Sequence, residues 1–183
     1  IPGAHDIQGR IGAYWHGNEP CHHVAYLYNY LRQPWKCQQW VRTIASRFYG
    51  PTPDALSGND DCGQMSAWYL FNCLGFYPIA PSSNIYNIGS PCVPALSVRL
   101  SGGEMIEMTT EGWSPRHLYV KALYLNGRLH DKSYLTYNEI RHGAKLHFVM
   151  SDKPYRRRAV SSEAVPPSLS KAGKTIYKQQ VAR

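Results

Sequence analysis

Charge is scarce in this sequence and unevenly distributed. Charged residues make up 17% of the 183 positions, with 12 acidic residues against 20 Lys and Arg. Residues 153–183 hold eight of the basic residues and one acidic residue, which leaves residues 1–152 nearly neutral. A nucleic-acid-binding fold concentrates basic residues on a structured face, so this distribution argues against one. We interpret the run Arg156-Arg157-Arg158 as solvated, with contact to nucleic acid or an anionic surface as the alternative.

Several other features are missing. No stretch of about 18 apolar residues occurs, so the sequence predicts no membrane-spanning helix. The five cysteines are odd in number and lack C-x-x-C spacing, which excludes a fully paired disulfide scaffold and a zinc ribbon. They leave the redox compartment undecided. The G-x-S-x-G elbow of serine hydrolases and the G-x-x-x-x-G-K-[ST] phosphate loop are also absent.

Aromatic residues, in contrast, are plentiful and make up 13% of the chain. They fit a packed core and also a carbohydrate cleft, where flat rings stack on sugar faces. Apolar residues three and four positions apart predict a helix over residues 20–31 and a second over 34–49, where a proline opens the first turn. A third predicted helix, 64–74, is apolar nearly all round and ends at Gly75, a favoured C-terminal cap.

After residue 81 the apolar period changes to two, which is typical of strands. Asn126-Gly127 is a strong hairpin signal, so we expect an antiparallel, sandwich-like sheet and an α+β fold. The tail from about residue 155 is poor in large apolar groups and is expected to be disordered. The expected domains are 1–80, 81–154 and 155–183. The predicted strands are 84–88, 95–100, 104–110, 117–124, 128–137 and 145–150.

Two polar loops, 16–23 and 58–64, each precede a predicted helix. Their carboxylates are Glu19, Asp60 and Asp61, and acids brought together need a compensating cation or proton. Oxygen ligands suit calcium, an ionised aspartate suits general-base catalysis, and an aspartate before a helix suits N-capping. The residues alone leave these three readings open.

The histidines of the first loop invite a zinc hypothesis, but the H-E-x-x-H pattern of zinc proteases is absent. His22 and His23 are neighbours, and neighbouring side chains on a helix point about 100° apart. At most one of the two is therefore expected to face a site, while the other packs or is solvated.

Four stretches of the sequence carry a family resemblance: HGNEPCHHVAYLYNY (16–30), QPWKCQ (33–38), LSGNDDCGQMSAWYLFNCLGFYPIAP (56–81) and IYNIGSP (85–91). In this order they resemble glycoside hydrolase family 92. The resemblance covers roughly residues 5–154, with weaker similarity in 119–128 and 142–154. It implies a calcium-dependent exo-α-mannosidase that inverts the anomeric centre, in which the end of an (α/α)₆ barrel is followed by strands.

The resemblance also implies roles for the loop residues. The catalytic base falls in the Asn59-Asp60-Asp61 run, with Asp61 the first choice and its two neighbours helping to hold the water. Asn18 and Glu19 match the metal loop and are assigned to calcium, with Asp60 as a further candidate ligand.

The implied substrate is a mannose-containing glycan. His16 would line the cleft, with Trp15 beside it. The expected linkage is α-1,2, although Gly17 offers no side chain at the variable position of H-x-N-E-P.

The start of the chain departs from the family pattern. The family's general acid is a glutamate in an E-G-x-x-W-Q-Y segment before a P-H-D motif, of which Ala4-His5-Asp6 is the remaining trace. Only about ten residues separate that trace from H-x-N-E-P, where a few tens are usual. We therefore expect a C-terminal fragment that lacks the acid, turns over little alone, and belongs to a secreted or secretory-pathway (periplasmic) enzyme. The alternatives are a non-catalytic sugar-binding module and an inactive remnant without a stable fold.

Overall fold

The computed structural model describes residues 9–168 and combines helices with three small sheets. The helices are α1 (Leu27–Tyr30), α2 (Pro34–Phe48), α3 (Gln64–Leu74) and α4 (Tyr137–Ile140). The strands are β1 (Arg10–Ile11), β2 (Tyr14–Trp15), β3 (Phe76–Ala80), β4 (Ile85–Ile88), β5 (Ala95–Arg99), β6 (Met105–Glu111), β7 (Tyr119–Leu125), β8 (Arg128–Leu129), β9 (Tyr134–Thr136) and β10 (Ala144–Ser151).

The two long helices match their predicted bounds to within a residue. A proline opens α2, and its inward face packs against the aromatic rings of Tyr26, Trp68 and Tyr77. Helix α3 ends at Gly75, whose φ of 89° lets its backbone N–H cap the carbonyls of the last turn. A side chain there would meet the Phe148 ring at 2.8 Å, so the cap also sits tightly against β10.

The predicted helix over 20–31 is wrong. That stretch contains the short 3₁₀ turns Glu19–Cys21 and Val24–Tyr26, followed by the single turn of α1. Three-residue-per-turn segments preserve the apolar spacing, because residues three apart still share a face. The segment therefore looks helical in sequence without forming one continuous α-helix.

The strands form a five-stranded sheet in the order β5-β6-β10-β7-β8 and a three-stranded sheet in the order β3-β4-β9. Pairing is antiparallel except between β10 and β6, which run parallel from Ala144 opposite Ile106 to Val149 opposite Glu111. The expectation of purely antiparallel strands is corrected at this pair. The predicted strand 128–137 is also divided, into β8, β9 and the start of α4. Strand β3 was not predicted.

One apolar core joins the helical and strand regions. Leu74 and Phe76, from the end of α3 and the start of β3, pack with Leu123 and Phe148 of the larger sheet. The described residues therefore form a mixed helix-and-sheet unit of the α+β kind. Its membership of an (α/α)₆ barrel and the domain boundary near residue 80 stay predictions. In residues 9–168, no helix has the length and apolarity to cross a membrane.

The tail was expected to be disordered from about residue 155, and this is wrong for residues 155–168. Arg158 is buried, and its Nη2 donates to the carbonyl oxygens of His130 (3.1 Å) and Lys132 (2.9 Å). Further along, the carbonyl of Ala164 accepts from both the backbone N–H and the hydroxyl of Ser133. Arg158 is thus an anchor and not the solvated residue expected. Residues 169–183 lie outside the described residues.

Candidate active site

The two polar loops of the sequence touch each other. Gly58 has a φ of +132°, and a Cβ at this position would lie 2.9 Å from both the Cα and the carbonyl oxygen of Gly17. The backbone hydrogen bond from His16 N–H to the Gly9 carbonyl (3.0 Å) holds the first loop in place. A glycine is needed at position 58, because both its φ and its neighbour exclude a side chain. The contact of Gly17 with Gly58 consequently brings together two segments, Asn18–Glu19 and Asn59–Asp61.

His16 is fully buried under the loops. Its Nδ1 accepts from the Tyr14 hydroxyl (2.8 Å), and its Nε2 bonds the Tyr49 hydroxyl (2.7 Å). Because Tyr49 gives its single proton to the Met65 carbonyl (3.1 Å), its oxygen must accept from His16, which assigns the proton to Nε2. His16 therefore ties the first loop to α2 and to the start of α3. In this structure its ring does not reach the surface, so direct contact with substrate stays a prediction.

His22 makes the second tie between the loops. Its Nε2 donates to the His16 carbonyl (3.0 Å), and its Nδ1 accepts from the Gln64 side-chain amide (3.3 Å). The same amide donates to the Tyr77 hydroxyl (2.9 Å). His22 is buried while His23 is exposed, so one member of the pair faces inward, as predicted.

Burial sets the charge of this network. It lowers the pKa of His16 to about 3, with the neighbouring His22 adding to the effect, and it lowers the pKa of His22 as well. Burial also raises the pKa of Tyr49, with smaller contributions from nearby groups that include Asp60 and Glu19. The network is thus neutral at pH 7, and the two carboxylates lie close enough to Tyr49 to act on its hydroxyl.

Acid should destabilise the chain through His16. The folded state keeps the ring neutral, whereas the unfolded chain takes up a proton below its ordinary pKa of 6.5. The stabilising effect is complete above pH 6.5, and the free energy of unfolding should fall by about 1.4 kcal/mol per pH unit from there toward pH 3. Urea unfolding at pH 7.5 and pH 5 measures the slope. It should become shallower in His16→Gln and stay the same in the exposed control His23→Gln; equal slopes in all three proteins would contradict the assignment.

Asp60 and Asp61 are neighbours with different surroundings. Asp60 Oδ1 accepts from the backbone N–H of Ser66 (2.9 Å) and Oδ2 from its hydroxyl (3.1 Å). These are bonds of the N-capping type, which satisfy donors in the first turn of α3. The capping alternative raised for Asp61 therefore falls on Asp60.

Asp61 is exposed at the start of a left-handed run. Its φ is +42°, and it is followed by Cys62 at +58° and Gly63 at +92°. Non-glycine residues avoid this region, at a cost of about 1–2 kcal/mol each, and such strain clusters at functional sites. The Asp60–Ser66 bonds span this run and hold it in place. The carboxylate of Asp61 thus takes no part in the cap of α3, and a constrained turn holds the backbone that carries it.

The other predicted site residues lie around the same contact. Asn18 and Asn59 are exposed, whereas Glu19 and Trp15 are half-buried. The Arg10 guanidinium lies 5.3 Å from the centre of the Trp15 ring, a cation–π contact. The structure therefore places the predicted site residues in the two adjoining loops, except Trp15, which lies in β2 just before the first loop, and the side chain of His16 is buried.

The described residues do not complete a metal site by themselves. In residues 9–168, no three His, Cys, Asp or Glu side chains group as metal ligands. Calcium takes six to eight oxygens, and Asn18 and Glu19 would supply two of them, while both oxygens of Asp60 already serve Ser66. The remaining ligands would have to be carbonyls, waters or other parts of the protein.

Sequence reasoning missed the residues that hold the loops. The hydrogen bonds described above are made by four residues that the sequence does not predict as site residues, namely Tyr14, Tyr49, Gln64 and Ser66. The available signal was weak. Gln64 and Ser66 lie within a motif shared with the family, whereas the tyrosines are indistinguishable in sequence from ordinary core residues.

Comparison with known proteins identifies the family of this chain. The sequence model described as the glycosyl hydrolase family 92 catalytic domain matches residues 2–152, and the chain belongs to this family. A curated relative from Arthroderma benhamiae, named an uncharacterized secreted glycosidase, is 25% identical over 156 residues. That match covers 84% of this chain and 20% of the relative.

Two solved structures from Bacteroides thetaiotaomicron are also similar. The family GH92 alpha-mannosidase BT3965, in complex with mannoimidazole, is 77% identical with a TM-score of 0.90, over 92% of this chain and 22% of that one. The family GH92 inverting mannosidase BT2199 is 34% identical with a TM-score of 0.80, over 87% of this chain and 22% of that one. The chain spans about a fifth of the length of these relatives.

Proposed function

We propose that this chain forms the base-bearing part of an inverting exo-α-mannosidase that removes terminal, non-reducing mannose from glycans. The observation that carries the proposal is the backbone contact between Gly17 and Gly58, which sets the Asn18–Glu19 and Asn59–Asp61 segments side by side. Support also comes from the names of the two similar solved structures, one an alpha-mannosidase and the other an inverting mannosidase.

The proposed base is Asp61. An inverting glycosidase needs one carboxylic acid to protonate the leaving oxygen and one carboxylate to activate water on the opposite face of the sugar. Asp61 is exposed and constrained by the left-handed turn, and its neighbour Asp60 already serves as the cap of α3. Asp61 would take the proton from the attacking water, and the exposed amide of Asn59 would hold that water.

The acid is proposed to come from outside this chain. The family's E-G-x-x-W-Q-Y segment does not occur in the 183 residues. We therefore propose that the chain alone turns over substrate poorly, since loss of a general acid costs about 10²–10⁴-fold in rate.

Calcium dependence, the α-1,2 linkage and secretion complete the proposal. Asn18 and Glu19 would hold the ion, whose chemistry is to bind sugar hydroxyls and favour a distorted ring. Secretion is supported by the name of the fungal relative. The linkage is an expectation from the family resemblance.

A segment exchange tests the function directly. The matching segment of BT3965, to which this chain is 77% identical, is replaced by this chain. We expect the resulting chimera to release mannose from α-1,2-mannobiose, with β-mannose as the first anomer seen by NMR. EDTA should abolish release, and added calcium should restore it.

The controls separate the parts of the proposal. Parental BT3965 is assayed in parallel on the same substrate. A folded chimera that releases no mannose beside an active parent would remove the proposal for this chain. Release that survives thorough chelation would remove only the calcium assignment. Retention of the anomeric configuration would remove the assignment of Asp61 as the base of an inverting reaction.

A further inference from the structure

The end of α3 lies against the segment between β4 and β5, away from the candidate active site. The backbone N–H of Gly89 donates to the Gly75 carbonyl (2.9 Å), and a Cβ at Gly75 would lie 3.2 Å from Cδ of Pro91. Each partner of this contact carries a cysteine close by. Cys73 lies in the last turn of α3, and Cys92 directly follows Pro91.

The two cysteines share more than this backbone contact. Tyr69 lies one helical turn before Cys73, on the same face of α3, and lines one cavity with Cys92, so the face that carries Cys73 lies against Cys92. The Cys92 thiol donates to the Ser90 carbonyl (3.9 Å). The Arg42 guanidinium lies nearby and donates to the Pro91 carbonyl. Cys73 is 4% exposed, whereas Cys92 lines a cavity of about 300 Å³ together with Arg42, Tyr69 and Trp113.

We propose that Cys73 and Cys92 are an oxidisable pair that closes into a disulfide and joins the C-terminal end of α3 to the segment after β4. This pair uses two of the five cysteines and leaves three as thiols. The proposal does not depend on the proposed glycosidase function.

The surroundings give the two sulfurs different roles. The hydrogen bond from Cys92 lowers the pKa of Cys73, and the Tyr69 hydroxyl and the Arg42 charge act in the same direction. The pKa of Cys92 is raised by the bond to Cys73 and by burial. Because the thiolate is the nucleophile, the lowered pKa favours Cys73 as the sulfur that reacts first, with the oxidant entering through the cavity that Cys92 lines.

With hydrogen peroxide as the oxidant, the chemistry balances in two steps. The Cys73 thiolate attacks one peroxide oxygen and breaks the O–O bond, giving a sulfenic acid and hydroxide, which takes a proton to become water. The Cys92 thiol then attacks the Cys73 sulfur and displaces the sulfenic oxygen as a second water. Two thiols and one peroxide thus become one disulfide and two waters, and the cavity admits a molecule of this size.

Mass spectrometry of the 183-residue chain tests the proposal. The protein is treated with a small excess of hydrogen peroxide, alkylated under denaturing conditions and digested without reduction. We expect a peptide pair joined through Cys73 and Cys92, two hydrogen masses lighter than the sum of the free peptides and lost on adding dithiothreitol. The melting temperature should rise by about 5–10 °C on oxidation, because the link closes a loop of about 20 residues.

Matched variants distinguish this pair from other oxidation. In Cys92→Ser, Cys73 should remain as a sulfenic acid that dimedone traps, whereas Cys62→Ser, which removes an exposed thiol, should leave the linked pair unchanged. The proposal is overturned if peroxide oxidises Cys62 while Cys73 and Cys92 are both recovered alkylated. It is equally overturned if either sulfur is found paired with a different cysteine. The wild-type digest decides the matter even where the serine variant fails to fold.

Discussion

Replacing Asp61 with asparagine is expected to lower mannose release by the chimera about 10²–10⁴-fold while leaving the melting temperature unchanged. Asparagine has nearly the same shape and tolerates the left-handed φ of +42° found at this position. The substitution removes the negative charge that would take a proton from the attacking water. Asp61 is exposed and takes no part in the Ser66 cap, so no side-chain hydrogen bond or ion pair within residues 9–168 is lost with that charge.

Asp60→Asn is the matched control, because it makes the same chemical change one residue earlier. An amide at Asp60 can no longer offer two acceptor oxygens to Ser66, so α3 loses part of its cap. We expect a stability loss of about 1 kcal/mol, or about 2–4 °C in melting temperature, with most of the activity kept well below the melting point. Rate constants and thermal unfolding of both variants check the pair. If Asp60→Asn loses as much activity as Asp61→Asn, the separation of roles between base and cap is wrong.

Local signals in the sequence account for the parts of the fold that were predicted well. Helix α2 begins at Pro34 and α3 ends at Gly75, and each residue marks the helix terminus through its own backbone conformation. The same local reasoning failed at residues 20–31, where 3₁₀ and α turns place the same apolar residues on one face. Periodicity identifies the buried face of a segment but does not fix its hydrogen-bond pattern.

Nonlocal pairing accounts for most of what was missed. The parallel pairing of β10 with β6 joins segments about 40 residues apart. The alternation of apolar and polar residues along each strand does not reveal this pairing. Strand β3 contains Pro78 and is defined by its pairing with β4. Arg158 bonds the carbonyls of His130 and Lys132, and every residue has a carbonyl, so no sequence pattern marks these partners. A basic, apolar-poor tail therefore looks disordered even where it is anchored.

The sequence identifies both loops of the candidate site but not the different contacts that their residues make, and the roles of these residues stay predictions. The motif residues identified both loops, and the structure places the loops in contact. Asp60 caps α3 and Asp61 does not. This difference depends on the left-handed backbone turn through Asp61, Cys62 and Gly63, which composition alone does not reveal. The burial of His16 depends in turn on Tyr14 and Tyr49, whose positions follow from the tertiary fold.

Gly58→Ala is expected to have the largest effect on stability, about 3 kcal/mol, or about 6–12 °C in melting temperature. The φ of +132° belongs to a region that is essentially restricted to glycine. The new methyl group would also lie 2.9 Å from two backbone atoms of Gly17, and backbone cannot swing aside as a flexible side chain can. The loops must therefore separate, and mannose release by the chimera should fall at temperatures where the protein is still folded.

Gly103→Ala separates the backbone strain from the contact. Gly103 also has a positive φ, +95°, but a Cβ there meets no atom within 4 Å. Its replacement should therefore cost only the conformational strain, about 1 kcal/mol, and should not affect activity. Urea or thermal unfolding of the two variants gives the difference between them, which measures the contact of Gly58 with Gly17. Equal losses of stability, with activity intact in both, would mean that the two loops do not depend on each other, and the shared site would then lose its physical basis.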